Sequence, residues 1–396
     1  MNAKPNLKSD IPLIEKPEVK PDNPQFSCGP CAKHPGWRPA IFNKALTGRS
    51  HRSSDCKAAL REVIEKHRKI LGIPQDYKVA ITPGSNTGAF EMALWSMLGA
   101  RGVDVMAWEN FSKVWATDII QELQIEDARD FSVEYGDISD LQSVDTDRDV
   151  IFAWNGTTSG VCVPDANWIK DDRQGLTFCD ATSAVFAYDM PWDKLDVTTW
   201  SWQKVLGGEA AHGMLVLSPR AVERLESFKP PRPLPKIFRM TKKGKLNEGL
   251  FEGATLNTPS MLAVHDCLDA LQWVESIGGV KKTIERTKAN AETLDEWVEN
   301  TPWIDYLATA PEIRSRSSVC LVIKDSWFSQ KSHDDQQSFI KQMTGLLAEE
   351  KAANDVNSYR TAPPGLRIWC GATVEQSDIK ALTPWLDWAY NTLKSA

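Results

Sequence analysis

From Lys78 to Ser218 short apolar runs alternate with stretches of helical period, a pattern that predicts an α/β layer architecture. KVAIT, VDVMAW, DVIFAW, GLTFC, VTTWSW and GMLVLS are the strand candidates. Between the first two, Ala89, Phe90, Ala93, Leu94, Met97 and Leu98 recur at helical spacing, so Asn86 to Leu98 reads as a helix covering the sheet. FSKVWATDIIQEL reads as a second.

Further along, Thr258 and Pro259 offer an N-cap and a first-turn proline for a long helix through Ile277, which Gly278-Gly279 ends. The next helix runs to about Asn300. SSVCLVIK and LRIWC then predict strands accompanied by two amphipathic helices, one entered through Thr373-Val374-Glu375-Gln376 with the spacing of a capping box. The C-terminal part therefore reads as a smaller α+β domain. Residues 1–25, rich in Pro, Lys and Asp and without periodicity, read as an extended arm that crosses a surface or a partner subunit.

A length of 396 residues exceeds one ordinary core and predicts two lobes. With 42% hydrophobic and 25% charged residues the composition is that of an ordinary globular protein. A net charge of -7 argues against a nucleic-acid binder that works by neutralising phosphates, yet leaves room for a local basic pocket. No apolar run reaches the roughly 18 residues of a membrane span. The N-terminal segment also lacks the apolar core of a signal peptide, so a cytoplasmic protein without a membrane partner is expected. Eight scattered cysteines fit reduced thiols better than a disulfide framework.

Candidate chemistry centres on SWQKVLGGEAAHG, where an aromatic strand ends on Lys204 and runs into Gly207-Gly208. A lysine at a strand end can point into a cleft, where desolvation favours the nucleophilic amine that Schiff-base formation with an aldehyde cofactor requires. A lone lysine is far more often a solvated surface group, so other features must support the assignment. Asp180 closes GLTFC 24 residues earlier, and a carboxylate there would keep a pyridine ring protonated as the electron sink of transamination. Gly84-Ser85-Asn86-Thr87-Gly88 follows a strand and opens a helix, a seat for a phosphate monoester that matches neither the Walker pattern nor G-x-G-x-x-G. Trp115 offers a ring for stacking. His51, Arg52, Arg360 and Arg367 stand near predicted loops, where arginine forks bind carboxylates and phosphates.

Two other motifs carry less. Cys28-Gly29-Pro30-Cys31 has dithiol spacing but follows the Pro-rich arm and does not sit inside a βαβ unit. The six histidines show no metal spacing, so no metal site is expected.

Taken in order, FSCGPC, HRS, NGTTSG, CDATSA, WQKVLGGEAAHGMLVLSPRA and LNTPS are similar to segments of the phosphoserine aminotransferases, a branch of the fold-type I pyridoxal-phosphate enzymes. The resemblance covers nearly the whole chain after the arm. It implies a large domain at 26–275 with a mainly parallel seven-stranded sheet that binds pyridoxal 5'-phosphate. A small α+β domain at 276–396 closes over the substrate, and active sites lie at the interface of a homodimer. By matching position it implies Lys204 as the Schiff-base lysine and proton carrier, Asp180 at the pyridine nitrogen, Thr157 at the ring hydroxyl and Trp115 stacked on the ring. Asn86, Thr87, Ser183 and Gln203 surround the cofactor phosphate, with Asn257 and Thr258 reaching it from the neighbouring subunit. Arg367 holds the substrate α-carboxylate, while His51, Arg52 and Arg360 receive its phosphate, the first two from the other subunit.

The implied reaction moves the amino group of glutamate to 3-phosphohydroxypyruvate, giving 2-oxoglutarate and O-phosphoserine in serine biosynthesis. A related phosphorylated four-carbon substrate on the route to vitamin B6 is also compatible. Ser85-Asn86-Thr87 in place of a Gly-rich cup followed by Arg, and Tyr359-Arg360 in place of His-Arg, mark a divergent branch. The nearest rival is another class V aminotransferase using alanine or serine with glyoxylate, which needs no phosphate site.

Overall fold

The computed structural model describes residues 15–395. Its main sheet contains β1 (Lys78–Pro83), β2 (Val103–Ala107), β3 (Ala128–Ser132), β4 (Asp149–Ala153), β5 (Thr177–Asp180), β6 (Val197–Ser201) and β7 (His212–Leu217). They lie in the order β1-β7-β6-β5-β4-β2-β3. Strands β2 to β6 are mutually parallel, and only β7 opposes its neighbours, so the sheet is mainly parallel as expected.

Strands β2, β4, β5, β6 and β7 are buried at every residue because helices cover both faces of the sheet. Alternate side chains serve the two sides. Val105, Ile151, Phe178 and Leu215 meet α2 (Ser85–Met97), α3 (Asn110–Thr117) and α4 (Pro219–Ser227). Met106, Phe152, Met214 and Val216 meet α1 (Ser54–Leu71) and α5 (Met261–Ile277). Helix α6 (Val280–Asn300) leads to a second, antiparallel sheet of β8 (Ile304–Tyr306), β9 (Ser318–Ile323) and β10 (Gly365–Trp369). Helices α7 (His333–Glu349) and α8 (Gln376–Lys394) pack beside it.

All six strand candidates of the main sheet form, but the seventh strand, β3, was not among them. Its residues are half-exposed or exposed, and Arg129 and Asp130 interrupt any apolar run, as suits a charged edge strand. Helix α5 begins at Met261 and is capped by Ser260, whose hydroxyl accepts from the Ala263 N–H at 3.3 Å, so Thr258 is not the cap. The Thr373 capping box does not form either. Asn290 and Arg286 bind the carbonyls of residues 370, 372 and 374, the chain enters α8 at Glu375, and the Thr373 hydroxyl is buried without a partner. The predicted helix after β2 is α only through Thr117 and continues as a π turn over Asp118–Glu122.

Part of the arm, residues 1–14, lies outside the described residues. The rest lies on its own C-terminal unit: Lys16 pairs with Glu350 at 2.7 Å, the Val19 carbonyl accepts from Trp385, and Asp378 accepts from the Asp22 N–H. All eight cysteines are buried free thiols. Among the described residues no helix is long and apolar enough to cross a membrane.

Candidate active site

In open α/β sheets ligands bind beyond the carboxyl ends of the parallel strands. Here that edge opens into a cavity of about 280 Å³. Its walls come from the turns after β2, β4, β5 and β6 and from the N-terminus of α2.

Lys204, 8% exposed, sits in the turn after β6 with its Nζ donating to the Cys28 carbonyl. The chain must fold closely for this. Gly29 lies against the lysine tip, where any Cβ would collide with it. Gly207 adopts φ +63 and packs on the Ala32 carbonyl, while the Cys31 N–H donates to Gln203 at 2.8 Å. The C-x-x-C segment therefore wraps the lysine turn. Burial pushes the Cys31 thiol well up, against the pull of Lys204, which is the opposite of a reactive thiolate.

Asp180 ends β5 at the cavity. Its Oδ1 accepts from the Thr182 N–H at 3.0 Å and hydroxyl at 2.6 Å, and its Oδ2 accepts from Trp115 Nε1 at 3.0 Å. Burial raises its pKa, while Thr182, Trp115 and Lys204 work in the other direction.

The α2 N-terminus supplies the third wall. Gly84 takes the left-handed conformation at φ 78, and the amides of Gly84 and Ser85 are spent on the Ala211 carbonyl. Asn86 and Thr87 follow in the first turn and line the cavity. Asn86 Oδ1, Ser201 Oγ and Gln203 Oε1 are buried there without a protein partner.

Seven of the expected residues thus meet at one cavity: Asn86, Thr87, Trp115, Thr157, Asp180, Gln203 and Lys204. Ser183 stands behind them. Its hydroxyl accepts from Asn155 Nδ2 and Thr157 Oγ1, both at 2.8 Å, and donates to the Asn155 carbonyl, so it anchors Thr157 and has no capacity left for a phosphate. Asn257 and Thr258 are exposed in the loop before α5, and His51 and Arg52 lie in the turn before α1; none of the four lines this cavity. Arg360 is exposed beside a separate open groove. Arg367 on β10 is half-buried, with its Nε unpartnered. Both guanidinium groups lie against Tyr359, at 5.7 and 5.5 Å, and the Tyr359 ring is 5.6 Å from Phe111 of the cavity wall.

Sequence reasoning missed Glu109, Phe111 and Thr182. Glu109 is 1% exposed, accepts from Thr158 Oγ1 at 2.7 Å and the Ser112 N–H at 2.8 Å, and caps α3. Burial pushes its carboxyl up to about 7, with Thr158 and the Ser112 amide opposing and Asp180 adding to the rise. The usual box is Ser/Thr at the cap and Glu at the third position, and Glu109-x-x-Ser112 reverses it, so the pattern carries no ordinary cap signal. Phe111, 37% exposed, is the aromatic side chain that the cavity presents openly, whereas Trp115 is 4% exposed and turned edge-on to Asp180. Among the described residues no three His, Cys, Asp or Glu side chains cluster to hold a metal.

Comparisons with known proteins give the family and the fold. The family described as aminotransferase class-V matches residues 41–382. A phosphoserine aminotransferase of Methanosarcina mazei is 56% identical over 379 residues, covering 96% of this chain and 100% of the relative. The solved phosphoserine aminotransferase from Cytophaga hutchinsonii matches with a TM-score of 0.78 at 19% identity, over 92% of this chain and 99% of that one. The PLP-bound phosphoserine aminotransferase from Trichomonas vaginalis matches with a TM-score of 0.71 at 17% identity, over 92% and 99%. At those identities the structural likeness concerns the fold.

Proposed function

Because the chain belongs to the aminotransferase class-V family, we propose that it is a pyridoxal-phosphate enzyme that moves an amino group between glutamate and 3-phosphohydroxypyruvate to form O-phosphoserine. The observation that carries this is one cavity holding a buried lysine amine, a buried carboxylate and a helix N-terminus.

The residues present fit the cofactor. Beside the first turn of α2, Ser201 Oγ is an unpartnered hydroxyl that can donate to a phosphate monoester, and the side-chain amides of Asn86 and Gln203 can donate through their nitrogens, their unpartnered oxygens being acceptors only. Asp180 stands ready for a ring nitrogen, Thr157 for the ring hydroxyl and Phe111 for a ring face. When bound, pyridoxal phosphate supplies an aldehyde to carry the amino group and a protonated ring to accept electrons. Lys204 Nζ would carry the proton between the substrate α-carbon and the cofactor's aldehyde carbon, as nucleophile and general acid/base. Arg367 binds the α-carboxylate, and Arg360, on the neighbouring loop, receives the phosphate.

The protein works as a homodimer in this reading. His51, Arg52, Asn257 and Thr258 of the partner subunit complete each site, which accounts for four polar residues that do not reach the cavity of their own chain. Residues 26–275 carry the cofactor and 276–396 close over the substrate. Eight buried free thiols suit the reducing cytoplasm.

Absorbance spectra of wild type and Lys204→Ala, before and after phosphoserine, test the assignment. Only wild type should show the long-wavelength band of lysine-bound cofactor, and phosphoserine but not alanine should bleach it. A band that answers to alanine or serine would overturn the substrate, and no band at all would overturn the cofactor.

A further inference from the structure

Asp180 is a buried carboxylate whose hydrogen-bonding capacity is nearly used up inside the protein. It accepts two bonds from Thr182 on Oδ1 and one from Trp115 on Oδ2. A carboxylate offers about four lone-pair sites, so one remains, and Asp180 lines the cavity. Trp115 reaches it from the helix side. Its ring packs on Phe90 of α2, with centroids 4.9 Å apart and planes inclined at 54°, inside the apolar cluster that also holds Leu94, Ala116 and Ile119. Such packing fixes the indole and leaves its N–H no freedom to turn away. Trp115 is 4% exposed, whereas Phe111, one helical turn earlier on α3, carries the exposed aromatic surface at the cavity.

We propose that Trp115 is a positioning residue for Asp180: its indole N–H, and not its ring face, serves the cofactor by aiming the last free lone pair of the carboxylate at the ring nitrogen and by favouring its ionised form. Burial alone favours the protonated acid, which cannot accept the ring's proton, and no arginine pairs with Asp180 to correct this. Neutral donors and the nearby Lys204 work against burial, and Trp115 is the donor on Oδ2. This inference rests on the functional reading above.

A double-mutant cycle on cofactor binding tests it, with wild type, Trp115→Phe, Asp180→Ala and the double variant, and pyridoxal phosphate titrated into each apoprotein. Trp115→Phe keeps the packing against Phe90 and should weaken binding about tenfold, the effect of one hydrogen bond to a charged group. In the Asp180→Ala background the same change should cost less than about twofold. The pH at which the bound cofactor's absorbance titrates should move in Trp115→Phe and stay in place in Phe111→Leu, which loses ring contact instead. An equal loss in both backgrounds, or no movement of the pH profile, overturns the inference, because a stacked ring acts without Asp180. Wild type that binds no pyridoxal phosphate overturns the functional reading itself and this inference with it. Urea midpoints of all four proteins separate lost folding from lost affinity.

Discussion

The two ends of the main sheet both bury carboxylates, and they treat them in opposite ways. At the amino ends of the parallel strands Asp104 on β2, Asp149 on β4 and Asp196 before β6 are at most 2% exposed, and arginine forks hold each one. Arg129 and Arg148 bind Asp104, Arg224 binds Asp149 through both nitrogens at 2.7 and 3.1 Å, and Arg173 and Arg220 bind Asp196. Burial pushes Asp104 up, but the arginines and the Asp145 amide prevail and hold it below its ordinary value. At the carboxyl ends Asp180 and Glu109 have hydroxyls, amides and an indole, and both are raised. Matching charges at one end close the structure. At the other end, among the described residues, no arginine fork meets Asp180 or Glu109 and Lys204 is the cation nearby, which leaves a carboxylate free to meet a cationic ring.

The sharpest way to break this contrast is Arg224→Met. It leaves Asp149 buried and without a cation, which should cost about 3–5 kcal/mol by urea denaturation while cofactor affinity per folded molecule is unchanged. A loss of affinity without a loss of stability would show that the amino-end pairs serve the site. Next in size is Glu109→Gln. The Glu109 carboxyl is raised by burial to about 7 from an ordinary 4.5, so the folded chain holds its proton more tightly than the unfolded chain. Wild-type stability should therefore fall as pH rises from about 4.5 to 7, by about 3 kcal/mol, and Glu109→Gln should lack that slope. Urea midpoints of both proteins across that range check it, and parallel slopes would show that burial does not raise the Glu109 carboxyl. The smallest effect is expected for Arg129→Gln. Its side chain is 46% exposed and Arg148 still holds Asp104, so the loss should stay below about 1 kcal/mol and shrink further in high salt.

The same contrast explains what could be read along the chain. Strands covered on both faces announce themselves as apolar runs, and six of the seven did so. Strand β3 carries no such run, because its edge position is protected by charge. Lys204 and Asp180 were legible as strand-end residues, and the turn at Ser85-Asn86-Thr87 as a helix start. Caps were less so. Thr258 and Thr373 both have suitable neighbours in sequence, but the helix entries were settled by contacts from His212, which accepts the Ser260 N–H at 3.0 Å, and from Asn290. The arginines of the amino edge looked like surface charges one by one, since the carboxylates they hold lie 23 to 75 residues away: Arg173 to Asp196 is the shortest separation and Arg224 to Asp149 the longest.

Local pattern was enough for six of the seven main-sheet strands, the helix that follows β1, the lysine at its strand end and the resemblance that joins them into one reading. Which face each aromatic turns, which hydroxyl stays free and which carboxylate meets an arginine came from folding. Phe111 and Trp115 sit one turn apart on the same helix, yet one opens onto the cavity and the other spends its N–H on a carboxylate 65 residues away. The Lys204 amine likewise finds its acceptor across 176 residues. Periodicity is a property of neighbours in the chain, whereas the partner of a polar atom is chosen by whatever the packed core brings within about 3 Å of it.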